Sequence, residues 1–451
     1  MRRKIAAQLP IVHPEIDHEH SQELQSMSAI LDRDGAIYDP VHADLVSRGI
    51  DPGKGRKGMT AEQVTRVGIL KQMNGFSYDE LAFHIADSRT YRAFCRIGIA
   101  DRPPKRGTLQ RNLKLVSAEA WEAINRRLLK QAVDDGIENG RMVRVDCTVT
   151  ESNIHRPTDS SLLWDCVRVL TRVMAKARED FGIVFTDHRR RAKRRNLNIL
   201  NARTNKARVK PYRDLLKVTH RTVGFAERAA AALEDHEGAD LMGTMKAQGL
   251  AMELRGYLPL ARQVIDQTER RVLHGESVPS GEKLVSIFET HTDIIAKGRR
   301  ETAFGHKLCV AGGKSGLITD CEIEEGNPAD STLATRMIER QKDIYGRAPS
   351  QTAFDGGFAS KVNLADIKSL GVKDVVFHKK RGLEIAEMAK STWVYKKLRS
   401  FRAGIEGMIS FLKRCFGLGR CTWRGLASFK AYTWASIVSS NLLLMARHAL
   451  A

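Results

Sequence analysis

Apolar and polar residues alternate most strictly at Met142–Thr150, where Val143, Val145, Cys147 and Val149 interleave with Arg144, Asp146 and Thr148. A period of two rich in β-branched residues predicts a strand with one apolar face. That strand presents Asp146 from its middle. A buried carboxylate is costly unless paired, hydrogen-bonded or metal-bound. In isolation such an Asp is more often a structural hydrogen-bonder.

Upstream the period changes to that of helices. Residues 1–58 are weakly periodic and end in the Gly/Pro/Lys-rich stop DPGKGRKG. Thr60 with Gln63 and Ser77 with Glu80 form capping-box patterns ahead of apolar runs, and Gly75 ends the first of those helices. Arg89–Cys95 and Thr108–Val116 predict further helices, and Ser117 caps a longer one through Trp121, Ile124, Leu128 and Val133. Compact helices with interspersed Arg and Lys suit a DNA-binding module of helix-turn-helix character, or else a packing domain.

Downstream, Leu162 to Arg271 carries almost no strand signal. LVSIF after Lys283, GHKLCVAG and GLITDCEIEEG predict consecutive strands. A helix capped by Asp330 and running to about Tyr345 follows, then the strand PSQTAFDGGF, a helix Val362–Leu370 and the strand KDVVFHK. This is an α/β order. Ala431–Ala446 is the most apolar run, yet with Asn441 and several serines it reads as a buried helix, not a membrane span.

Charge changes the picture. The formal balance is +21, and such an excess argues for a polyanionic partner, nucleic acid before membrane. Asp187–Arg221 holds 13 Lys/Arg against two acids, Asp187 and Asp214, a block too one-sided to be laced by internal pairs. Its densest part contains Arg189, Arg190, Arg191, Lys193, Arg194 and Arg195, which are read as DNA-binding through phosphates. Seven scattered cysteines with no Cys-x-x-Cys pair exclude a disulfide framework and a zinc site, and suit a reducing cytosol.

Two more carboxylates have settings that ask for a ligand. Asp355 ends a strand and precedes Gly356 and Gly357, at the place where α/β sheets bind ligands. Glu406 lies on a helix with Arg402 four before it and Lys413 seven after it, beside an apolar stripe of Ile405, Met408, Ile409, Leu412 and Phe416. Gly404 and Gly407 flank it at about 1 kcal/mol each in a helix interior, so close approach of another backbone or a ligand is expected there. Asp320, Glu322, Glu384 and Glu387 lack such settings and are read as solvated charges. Three carboxylates converging without a cation would repel one another. With Mg²⁺ they form a phosphoryl-transfer site.

VDCTVTESNIHRPTDSSLLWD, TAFDGGFAS and FRAGIEGMISFLKRCFGLGR together resemble the catalytic motifs of bacterial insertion-sequence transposases of the DDE class. The leader from Gly58 to Gly98 and the segment from Glu282 to Gly312 resemble the same family, so the likeness covers most of residues 59–450. It implies a ribonuclease-H-like mixed sheet with flanking helices at 141–450, interrupted by a basic helical insertion at about 160–280. It also implies an all-helical DNA-binding domain at 59–140, behind a lead segment 1–58. Carried over by position, Asp146, Asp355 and Glu406 are the catalytic, metal-binding acids, and Arg402 and Lys413 contact DNA. The family's usual Tyr seven before the Glu is replaced by Arg399.

The resemblance further implies two Mg²⁺ ions, for which Mn²⁺ substitutes. Its partners are double-stranded DNA at element ends and target, bound by a cytoplasmic, nucleoid-associated homodimer without a membrane role. Cleavage and strand transfer are the expected reactions. A domesticated, inactive DNA-binding relative and a Mg²⁺ nuclease without strand transfer are the alternatives.

Overall fold

The computed structural model describes residues 2–5, 11, 16–47, 53, 58–236, 241–297 and 301–451. Most of the DPGKGRKG stop lies outside the described residues. The chain divides into two compact units, Met1–Asn153 with Gly305–Ala451, and Ile154–Phe304.

The first unit opens with helices α1 (Glu19–Asp32), α2 (Asp39–Val46), α3 (Ala61–Asn74), α4 (Tyr78–Asp87), α5 (Arg89–Phe94), α6 (Arg106–Leu113) and α7 (Ala118–Asp134), then strand β1 (Met142–Glu151). The second holds α8 (Asp159–Phe181), α9 (Arg189–Asn201), α10 (Asn205–Glu234), α11 (Leu241–Thr268) and β2 (Asp293–Lys297). β3 (Glu301–Gly312) leads back to the first unit, followed by β4 (Ile318–Ile323), α12 (Ala334–Tyr345), β5 (Gln351–Phe354), α13 (Lys361–Ser369), β6 (Asp374–Phe377), α14 (Ile385–Met388), α15 (Thr392–Cys415) and α16 (Leu426–Leu450).

Local chemistry explains most of the boundaries. Thr60 and Gln63, and likewise Ser77 and Glu80, bond reciprocally as capping boxes at α3 and α4. Gly75 closes α3 in the left-handed conformation at φ 64°. Helices α1 and α2 depart from the weak pattern expected of residues 1–58. Their apolar positions Leu24, Met27, Ile30, Leu31, Val41 and Leu45 are all buried. LVSIF is not a strand: the Gln267 side chain accepts from the Leu284 amide at 2.9 Å and donates to its carbonyl at 3.1 Å. That clamp takes the place of a ladder, and the strand forms later, at β2.

In the first unit β1 is the hinge of the sheet. It pairs antiparallel with β3, from Arg144↔Gly312 to Glu151↔Gly305, and parallel with β5, from Met142↔Gln351 to Val145↔Phe354. β6 extends the sheet parallel to β5, and β4 pairs antiparallel with β3. This mixed order is consistent with the ribonuclease-H-like expectation. One face carries a core of Val143, Val145, Cys309, Met337, Ile338, Phe354 and Phe377.

A second core joins the N-terminal helices to α16, with Leu31, Val67, Trp121, Leu128, Phe429, Ile437 and Leu442 in one cluster. Asn441, buried in α16, accepts from the Ile318 amide at 2.9 Å and donates to the Ile318 carbonyl and to Asn125 Oδ1. Its polar groups are therefore satisfied between α7 and β4. Among the described residues no helix is long and apolar enough to cross a membrane.

Candidate active site

Three elements bring the candidate acids together. β1 supplies Asp146, the residue after β5 supplies Asp355, and α15 supplies Glu406. α15 lies on the sheet through Val394, Tyr395, Leu398, Ile405 and Leu412, all buried. Arg402 belongs to that same buried stripe and not to the solvent face.

Its guanidinium is the centre of the site. Nη2 donates to Asp146 Oδ2 at 2.7 Å and lies 3.3 Å from Asp355 Oδ1, while Nη1 donates to Glu406 Oε1 at 2.8 Å. Side-chain exposure rises in steps from Asp146 (16%) through Asp355 (37%) to Glu406 (64%). The site is thus closed at the sheet and open along α15. Asp146 Oδ1 accepts from the amide of Cys147 at 2.8 Å, which fixes the carboxylate and directs Oδ2 to the cation. Burial raises the Asp146 carboxyl above the usual range, against the opposing attraction of Arg402. Lys413 is half-buried near the end of the same helix.

The glycines around the acids answer to different neighbours. A methyl group at Gly404 would overlap the guanidinium of Arg144, which donates to the Phe401 carbonyl at 2.9 Å and lies 4.5 Å over the Phe401 ring. The close approach expected at Gly404 is therefore by a side chain of β1, neither a backbone nor a ligand. Gly407 has nothing within 4 Å of a built Cβ, so no neighbour among the described residues explains it. Gly356 faces the Lys379 side chain, whose Cβ would be 2.7 Å from a new methyl, and Gly357 faces Asp330.

Arg144 was not legible as part of this arrangement, although its place two residues before Asp146 puts both on one face of β1. It is buried, and burial lowers its pKa from the ordinary arginine value.

Two of the competing acids, Asp320 and Glu322, are not the solvated charges expected, whereas Glu384 and Glu387 are exposed. Asp320 is buried and takes a two-pronged pair from Arg340 at 2.6 and 2.7 Å. Glu322 meets Arg336 at 2.7 Å, and Glu384 and Glu387 form the cap of α14. Each has structural work that its sequence setting does not show.

In the second unit the basic block is partly laced, contrary to expectation. Asp187 pairs with Arg189, and Asp214 with both Arg191 and Arg195, holding both carboxyls below the usual range. Arg190, Lys193 and Arg194 are exposed at helical spacing on α9.

Two family models match the sequence. One, described as Transposase DDE domain, covers residues 263–442. The other, described as Transposase domain (DUF772), covers residues 12–115. The chain belongs to the insertion-sequence transposases of the DDE class. No curated protein and no solved structure matches it. The matched DDE stretch of the transposase includes Asp355 and Glu406 and begins beyond Asp146. Asp146 is brought to the other two in space, by the parallel pairing that sets Val145 opposite Phe354 and by the ion pairs of Arg402. As the transposase stands, no group of three or more His, Cys, Asp and Glu among the described residues is placed to hold an ion. The guanidinium lies between the carboxylates.

Proposed function

We propose that this transposase binds the terminal inverted repeats of its element as a homodimer, hydrolyses a phosphodiester to free a 3′-OH, and joins that hydroxyl to target DNA. Asp146, Asp355 and Glu406 are its catalytic acids. The observation that carries the reading is the single guanidinium of Arg402, to which three carboxylates from three separate elements converge. A domesticated relative without catalysis would have no need to keep that convergence.

The donor set fits a hard divalent cation: three carboxylates aimed at one positive charge, one oxygen of Asp146 already held by an amide. Two Mg²⁺ ions, with Mn²⁺ as substitute, would be held by Asp146, Asp355 and Glu406 and would supply Lewis-acid stabilisation to the attacking and leaving oxygens. Arg402 balances the acids in the free protein. When DNA enters along the exposed side at Glu406, its planar fork is suited to a phosphate through two parallel hydrogen bonds. Lys413 adds a point charge on the same helix. Arg190, Lys193 and Arg194 add affinity of a sequence-independent kind in the second unit.

The test is cleavage of a duplex carrying the repeat end, with binding followed in parallel. Asp146→Ala, Asp355→Ala and Glu406→Ala should each abolish cleavage and leave binding largely intact. Wild-type cleavage by one of them would remove that residue from the active site.

A further inference from the structure

The C-terminal ends of β5 and β6 lie side by side, because Phe354 and Phe377 are register partners in a parallel pair. One step on, the amide of His378 donates to the Phe354 carbonyl at 2.9 Å. The loop His378–Gly382 therefore begins beside Asp355. Packing at Gly356 carries it further: Cβ, Cγ and Cδ of Lys379 lie 2.7, 2.9 and 3.1 Å from a Cβ built on that glycine. The lysine stem runs along the backbone of the turn that presents Asp355.

Lys379, Lys380 and Arg381 are all exposed. The acids that follow are engaged elsewhere, Glu384 and Glu387 with the first turn of α14. The tip is a tight turn in which the Leu383 amide donates to the Lys380 carbonyl at 3.0 Å. Its two central residues have positive φ, 46° at Arg381 and 85° at Gly382. That pattern normally selects Asn, Asp or Gly at the first position. An arginine held there gives up backbone comfort, which points to a role for its side chain.

We infer that the loop Lys379–Arg381 is a binding site for the DNA backbone on the flank of the scissile phosphate, gripping the neighbouring phosphates beside Asp355. The inference rests on the reading of this chain as a DNA-cutting transposase. Three consecutive cations next to three acids serve opposite purposes: the acids suit a metal, the cations hold the polyanion over it. Arg402 reaches the site from α15, whereas the loop reaches it from the sheet edge, so a strand lying between them is held on two sides. Both the element end and the target DNA offer the required phosphates.

The experiment measures duplex binding without turnover, in Ca²⁺, as a function of salt. The variant is Lys379→Gln, Lys380→Gln and Arg381→Asn combined. Gln keeps most of the stem packed on Gly356, and Asn tolerates the left-handed turn. The slope of log K against log salt should fall by about 0.9 for each phosphate that is no longer neutralised, about 2.7 for three. A control set at the exposed Lys130, Lys342 and Lys373 should change it far less.

Duplexes with single methylphosphonates flanking the scissile position should bind the wild type more weakly and the variant no differently from unmodified DNA. An effect on repeat-end duplex alone assigns the loop to the element end, and one on unrelated duplex alone to target DNA. A slope no lower than that of the control set, in a variant with wild-type melting, overturns the site. Neither readout uses cleavage, so a protein that binds this way and never cuts would sink the catalytic reading and leave the loop's assignment standing.

Discussion

Gly404 and Gly407 lie one helical turn apart around Glu406, and alanine at the two should act in opposite directions. In a helix interior Ala is favoured over Gly by about 1 kcal/mol. At Gly407 a Cβ meets nothing within 4 Å, so Gly407→Ala should stabilise the protein by about that amount. At Gly404 the methyl overlaps the Arg144 guanidinium and must expel it. A hydrogen bond from a charged donor contributes roughly 1.5–3 kcal/mol, and a cation over an aromatic face about 0.5–2 kcal/mol. Both disappear together, since the same group makes them with Phe401.

After the propensity gain, Gly404→Ala should destabilise by about 1–4 kcal/mol. The assay is urea denaturation, with hydrogen exchange of the α15 amides to localise the change. In the Arg144→Ala background the obstacle is gone, so Gly404→Ala should become neutral or stabilising, a coupling of at least about 1 kcal/mol. Stabilisation of the wild-type background by Gly404→Ala, equal to that at Gly407, would refute the overlap with Arg144.

Arg402→Lys keeps the charge but not the fork, so it cannot reach three carboxylates at once. Single-turnover cleavage should slow by on the order of 10–100-fold and stability should fall by about 1–3 kcal/mol; wild-type cleavage would make the residue merely structural. Neutralising Arg190, Lys193 and Arg194 should lower the salt slope of DNA binding on repeat and unrelated duplex alike. Neutralising Arg189, Arg191 and Arg195, which already have carboxylate partners, should lower it less; equal slopes for both sets would refute the distinction. The Asp146 carboxyl is raised in the folded protein, so protonation favours folding and that contribution is lost as pH rises through the raised value. Asp146→Asn has no such dependence. Its stability relative to the wild type should climb from about pH 4 upward and then level off, and a flat difference in urea midpoints across that range would refute the assignment.

Residue patterns carried the parts of this fold that local rules decide. The alternation around Asp146, the capping boxes at Thr60 and Ser77 and the Gly after β5 each fix their own element within a few residues. What they could not carry is partnership across the chain. Arg340 explains Asp320, Arg144 explains Gly404, and Gln267 dissolves an expected strand, each from at least 17 positions away. The same limit applied to Arg402. Spacing placed it beside Glu406, but only the packing of α15 on the sheet puts its guanidinium on Asp146 as well. Likewise α7 and α16 share one core although the pattern between them gives no hint of it.

The pairing of Glu151 with Gly305 has a consequence for how such a chain finds its structure. These two residues enclose the whole of the second unit, yet they stand opposite each other in a ladder so tight that a Cβ at Gly305 would overlap the Thr150 carbonyl. Closing a floppy loop of about 150 residues is entropically harder than closing one of about three, by roughly 3.5 kcal/mol at about 0.6 per doubling. If the inserted unit folds first, its own two ends become the short tether, and most of that penalty vanishes before β1 meets β3. A protein cut back to a tight turn between Asn153 and Gly305 should then assemble its sheet without the insertion. Destabilising the insertion from within should slow formation of the sheet that carries Asp146.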